Sequence, residues 1–144
     1  MLNRFLVIWL VLLLASCASP RDNKQSVAND HSARAVERSA DRTYGLTKEN
    51  PVRVGGSDFR DGPKRERPFL DSLRGPSGQR LSYQRLGSCC HFQTPHGING
   101  TGLLDAYSVT FEGLSEPITI YINFYDPGPP LVPVGFTTAQ SAAP

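Results

Sequence analysis

The clearest pattern in the chain lies between Leu103 and Tyr125, where apolar and polar side chains alternate with a period of two through two segments separated by a turn. Tyr107, Val109 and Phe111 alternate with Ala106, Ser108, Thr110 and Glu112; Ile118, Ile120, Ile122 and Phe124 alternate with Thr119, Tyr121, Asn123 and Tyr125. No helix fits that spacing, so it predicts a β-hairpin. Facing the two apolar stripes on one side predicts a register: Phe111 opposite Ile118, Val109 opposite Ile120 and Tyr107 opposite Ile122. Residues 113–116 then form the loop, and Pro117 takes the first strand position, where its missing N–H is tolerated.

The flanking stretches read as further strands and turns. Val52 and Val54 flank Arg53 and run into Gly55-Gly56, a short strand ending in a turn. Arg60, Lys64, Arg65 and Arg67 interleave with Asp58, Asp61 and Glu66, which predicts a solvated loop, because opposite charges so close cancel the field an anion site needs. Phe69, Leu70 and Leu73 lead into Arg74-Gly75-Pro76-Ser77-Gly78, a reversal whose return arm, residues 79–86, makes a second hairpin. Residues 91–102 hold Pro95 and three glycines and read as a loop with a turn at Asn99-Gly100. The prolines between Asp126 and Pro133 end the ladder. The expectation is a mainly β protein: a small antiparallel β domain of about five strands over residues 50–137, with room for one short helix and a disordered tail at 138–144.

The N-terminus changes the picture of where this domain sits. Arg4 precedes an unbroken apolar run from Phe5 to Leu14, closed by Leu14-Ala15-Ser16-Cys17. That run falls well short of the roughly 20 residues a spanning helix needs, so residues 1–16 read as a signal peptide. From Ala18 to about Asn50 small polar and charged residues dominate, which predicts a flexible tether over residues 17–49 with a reach of about 30 Å. Losing residues 1–16 removes one of the 15 basic side chains and none of the 13 acidic ones, so the mature charge stays near zero. That balance argues against nucleic acid and against a polybasic membrane patch.

Leu14-Ala15-Ser16-Cys17 resembles the lipobox of bacterial lipoproteins, in which the cysteine is acylated and becomes the mature N-terminus. The resemblance implies a lipidated Cys17, a membrane partner through that lipid anchor and no spanning segment. Ala18 stands where an inner-membrane retention signal would have Asp, which favours the outer membrane as the site in the cell envelope. The runs Asn50-Pro51-Val52-Arg53-Val54-Gly55-Gly56, Leu73-Arg74-Gly75-Pro76, Leu86-Gly87-Ser88-Cys89-Cys90, Leu104-Asp105-Ala106-Tyr107 and Ile120-Tyr121-Ile122-Asn123 are similar to a set of small bacterial lipoproteins of unassigned function. Some members bear the name 2-dehydro-3-deoxyphosphooctonate aldolase. Such an aldolase is a (β/α)₈ barrel of about 250 residues, which this domain cannot build.

Candidate chemistry gathers at Cys89-Cys90-His91 and His96. Four readings stay open: buried small hydrophobes, a vicinal disulfide, metal ligation by Cys89, Cys90, His91 and His96, and a nucleophilic thiol with a histidine base oriented by Asp105. Adjacent strand residues point to opposite faces, which predicts one cysteine buried against the hairpin and the other turned outward. Tyr121, Asn123 and Tyr125 form a polar-aromatic stripe that is either a second layer of core or a platform for a sugar or peptide. No cofactor is called for; the glycines between Gly97 and Gly102 precede no helix that could receive a phosphate. Two functions compete: a non-catalytic lipoprotein that binds an envelope protein or glycan, and a small thiol- or metal-dependent enzyme.

Overall fold

The computed structural model describes residues 37–56 and 62–139, with the backbone alone at Pro63. Residues 1–16, Cys17 and residues 140–144 therefore lie outside it, as do Asp58, Arg60 and Asp61 of the charged stretch. The protein is mainly β. Strand β1 (Val52–Gly55) is followed by helix α1 (Gly62–Ser72), β2 (Leu73–Arg74), β3 (Ser82–Ile98), β4 (Thr101–Thr110), β5 (Ile118–Pro127) and β6 (Thr137–Thr138). Four strands form one sheet in the order β1-β5-β4-β3, and β2 pairs with β6 in a second, small sheet.

The expected antiparallel domain is corrected in one respect: β1 runs parallel to β5, with Val52 opposite Ile122 and Arg53 opposite Asn123, so the main sheet is mixed. A parallel neighbour needs a crossover, and α1 lies within the connection and packs on β1 and β5. Gly62, Glu66, Phe69 and Leu70 of α1 are all buried, a helical i, i+4, i+7, i+8 stripe that continues into Leu73. The stretch expected as a solvated charged loop is therefore largely helix. Two things hide it: a carboxylate in the middle of the apolar stripe, and Pro68, which sits on the exposed side of the helix.

The core lies between α1 and one face of the sheet. Val52, Val54, Tyr107, Val109, Ile120 and Ile122 meet Phe69, Leu70 and Leu73 there, and Val132 and Phe136 close it from the C-terminal segment. The central hairpin forms, and its apolar stripes share this face, yet its register differs by two residues from the expected one: Val109 opposes Ile118, Tyr107 opposes Ile120 and Asp105 opposes Ile122. A shift of two keeps every side chain on its face. Phe111 leaves the ladder to meet the ring of Phe136 edge-on at 6.2 Å, which lengthens the loop.

Strand β3 is the second departure. It runs on through residues expected as loop and folds back at Asn99-Gly100, the turn read from the sequence. Its pairing with β4 is broken between Arg85 and Gly87, between Cys89 and His91, and between Gln93 and Ile98, so the strand bends repeatedly. The expected tether also ends earlier than residue 49. The Ser39 N–H donates to the Val132 carbonyl at 2.9 Å, and the Tyr121 N–H to the Gly45 carbonyl at 2.9 Å. Asp41 Oδ1 accepts from the Thr43 N–H at 2.8 Å, and its Oδ2 from Asn50 Nδ2 at 2.9 Å. The small polar residues that suggested a tether are here the ones that build hydrogen-bonded turns. At the other end Thr138, expected in the tail, is buried in β6.

Candidate functional site

On the face of the sheet away from α1, side chains from all four strands line up across the ladder. Arg53 of β1 pairs with Asn123 of β5, and Leu104 of β4 pairs with Cys89 of β3. Arg53, Asn123 and Leu104, with Cys90, floor a cleft of about 460 Å³, walled by Lys48, Glu49 and Pro51 on the β1 side and by His91, Phe92 and Gln93 on the β3 side. Gly102 makes the far wall possible. A Cβ there would lie 2.8 Å from the Phe92 ring, and its absence lets that ring reach across to Tyr125, edge-on at 5.9 Å.

The end of the cleft is fixed by Asp126. Its Oδ1 accepts a short hydrogen bond from the Thr94 hydroxyl and lies 3.0 Å from His96 Nδ1, while its Oδ2 accepts from Asn123 Nδ2 at 2.9 Å. Burial pushes the Asp126 carboxyl up, but these three hydrogen bonds outweigh it and hold the group below the usual carboxylate range. Asn123 is fully engaged, since its Oδ1 also accepts from the Tyr125 and Asp126 N–H groups. Arg53, His91 and Gln93, by contrast, make no side-chain hydrogen bond to any described residue.

Cys89 and Cys90 are both half-buried and are bonded to each other in a vicinal disulfide with Cα atoms 3.8 Å apart. The expectation of one buried and one outward thiol is thereby corrected. Cys90 has no partner in β4, and its φ of 57° lies in the left-handed region, so it is the extra residue of the bulge. The structure brings Cys90, His91 and Asn123 to one cleft and places His96 beside it through Asp126. It places the other candidates elsewhere. Asp105 points to the α1 side and orients neither His91 nor His96; Tyr125 is buried beneath Phe92, so the Tyr121-Asn123-Tyr125 stripe is not an open platform. Among the described residues no three His, Cys, Asp or Glu side chains converge as a metal site would require.

A second polar cluster went unread in the sequence. Beneath α1 the Tyr107 hydroxyl donates to Glu66 Oε2 at 2.6 Å, and Glu66 Oε1, with no accessible surface, has no hydrogen-bond partner among the described residues. Burial pushes the Glu66 carboxyl up to about 7; the Tyr107 hydrogen bond pulls the other way, and the nearby Asp105 carboxylate adds to the rise. Asp105 is held by a bidentate Arg85, 2.7 Å to each oxygen, and by the Ser88 hydroxyl at 2.8 Å. The available signal was positional: Glu66 lies four residues after Gly62 and three and four before Phe69 and Leu70.

Comparison of the chain with family models, with curated proteins and with solved structures returns no match.

Proposed function

We propose that the protein is a lipid-anchored binding module of the cell envelope, held at the membrane through Cys17, that takes an acceptor-rich envelope glycan in its outer cleft. The observation that carries this reading is the imbalance of hydrogen-bonding groups around the cleft. Arg53, His91 and Gln93 line the cleft without a side-chain hydrogen bond to any described residue, whereas the acceptors there are occupied: Asp126 and Asn123 by internal partners and Glu49 by Lys48 at 3.9 Å. A ligand rich in hydroxyl and carboxylate oxygens satisfies that set, and the half-buried Phe92 ring offers an apolar surface to a sugar ring. The outer membrane is the favoured site, given Ala18, and no helix among the described residues is long and apolar enough to cross a bilayer. A thiol enzyme needs a free thiolate, and both sulfurs of the only candidate pair are bonded to each other.

Titration of the full-length protein with soluble peptidoglycan disaccharide-peptides, followed by calorimetry, tests the reading. Saturable binding that falls at least tenfold in Arg53→Ala and in His91→Ala is the expected result. Absence of binding, or binding indifferent to both substitutions, overturns it.

A further inference from the structure

Cys89 and Cys90 carry more than a covalent link. A trans peptide holds neighbouring Cα atoms 3.8 Å apart, below the roughly 4.4 Å at which unstrained disulfides begin, so joining the two sulfurs closes a tight ring on the backbone. The chain around that ring is distorted accordingly. Cys90 sits at φ 57°, outside the region a non-glycine residue prefers, and is expelled from the ladder while Cys89 and His91 pair with Leu104 and Leu103. Both cysteines are half-buried and Cys90 lines the cleft, which is the side from which a thiolate reaches the pair. Downstream the pairing with β4 is interrupted after Gln93, and Asp126 holds Thr94 and His96, so a one-residue change is confined to residues 91–93.

We infer that the Cys89–Cys90 disulfide is a reversible thiol–disulfide exchange site whose substrate is a dithiol, and that its reduction reshapes the β3 wall of the outer cleft. One thiolate of the dithiol attacks a sulfur of the pair and forms a mixed disulfide, releasing the other cysteine as a thiolate that takes up a proton. The second dithiol sulfur, as thiolate, then displaces the first cysteine, which leaves as a thiolate and is protonated in turn. The products are two cysteine thiols and one cyclic disulfide, with two electrons passed from dithiol to protein. Once the ring opens, Cys90 returns to extended backbone and enters the ladder. A one-residue slip of residues 91–93 turns their side chains to the opposite face, which removes His91 and Phe92 from their present places.

The exchange chemistry stands apart from the glycan reading, and its test uses no ligand. Full-length, detergent-solubilised protein is treated with graded dithiothreitol, alkylated, and mapped by peptide mass, alongside hydrogen–deuterium exchange. Two thiols should appear in the peptide holding Cys89 and Cys90 while far-UV circular dichroism still reports a folded domain, with faster exchange over residues 89–98 and unchanged exchange in β5. The Cys89→Ser/Cys90→Ser variant should show the same exchange pattern without reductant. The inference is overturned if thiols appear only as the protein unfolds, if both cysteines are already alkylated without reductant, or if exchange over residues 89–98 does not change on reduction.

Discussion

Burial with only one of its two oxygens hydrogen-bonded makes Glu66 an acid that gives up its proton near neutrality. Its folded value of about 7 lies above the ordinary 4.5, so the folded state binds the proton more tightly than the unfolded chain does. The stabilisation from a neutral Glu66 is therefore complete below pH 4.5, declines as pH rises towards 7 and is gone above it. A difference of that size corresponds to about 3 kcal/mol. Glu66→Gln keeps the hydrogen bond from Tyr107 and removes the charge, so it should match the wild type at pH 5 and exceed it in thermal stability at pH 8. Unfolding followed by circular dichroism across that range checks it, and parallel profiles for the two proteins would refute the assignment. Asp126 does not confuse the result: its carboxyl is lowered, so its contribution is lost only as pH falls below the ordinary carboxylate range. The one mark of burial in the sequence is the helical spacing of Glu66 from Gly62, Phe69 and Leu70, and the interleaved charges around it hide that mark, since such charges ordinarily face water.

The two cysteines show a different limit at the same scale. Alternation along a strand assigns them opposite faces, but that argument assumes a regular strand, and the disulfide with its bulge removes the assumption. Because both belong to one link, Cys89→Ser and Cys90→Ser should be equivalent in stability. A cross-link that closes no intervening loop constrains the unfolded chain little, so each should change stability by less than about 1 kcal/mol. Chemical denaturation of the two variants decides this; a difference of 2 kcal/mol between them would restore the picture of one buried and one exposed thiol.

Among the elements, the central hairpin was legible because its alternation is long and its two stripes are strongly apolar. Its register was legible only to within an even number of residues, because face is set by parity and the choice among even registers depends on a distant partner, Phe136, that draws Phe111 away. Strand β3 was half legible. Its later residues include Pro95 and Gly97, which argue for a loop locally, but Thr94 and His96 are tied to Asp126 across the structure and hold the segment in place. The same segment depends on Gly102. Gly102→Val would drive a side chain into the Phe92 ring and separate it from Tyr125, at a cost of about 1 to 3 kcal/mol. The expected outcome is a lowered melting temperature together with increased exposure of Tyr125, read by ultraviolet difference absorption; an unaltered tyrosine spectrum would show that the ring contact does not shape this wall.

For the molecule as a whole, fold class followed from strand patterning, whereas the parallel β1–β5 pairing did not, because no local pattern says which edge a short first strand joins. The start of the folded unit was misplaced for a related reason: the hydrogen bonds that secure residues 37–49 reach Tyr121, Leu131 and Val132, far along the chain. At about 0.5 to 1.5 kcal/mol for each such bond, a chain beginning at residue 50 should lose a few kcal/mol of stability relative to one beginning at residue 37. Equal urea midpoints for the two would mean that the segment merely rests on the sheet.

The anchoring reading is also a statement about the whole molecule, and it turns on one atom. If the Cys17 sulfur carries a diacylglyceryl group and its amine a further acyl chain, the protein holds to a bilayer without spanning it, because two or more chains turn weak partitioning into stable attachment. The ten apolar residues from Phe5 to Leu14 cannot supply that attachment alone, since a spanning helix needs roughly twice as many. Cys17→Ser should therefore accumulate as a precursor that retains residues 1–16, whereas the wild type should give a chain that starts at residue 17 with added acyl mass and sediments with membranes. Intact-mass spectrometry of both proteins distinguishes the cases. A mature chain that begins at residue 17 without acyl mass, or at any other residue, would remove the membrane partner and with it the envelope glycan as the natural ligand of the cleft.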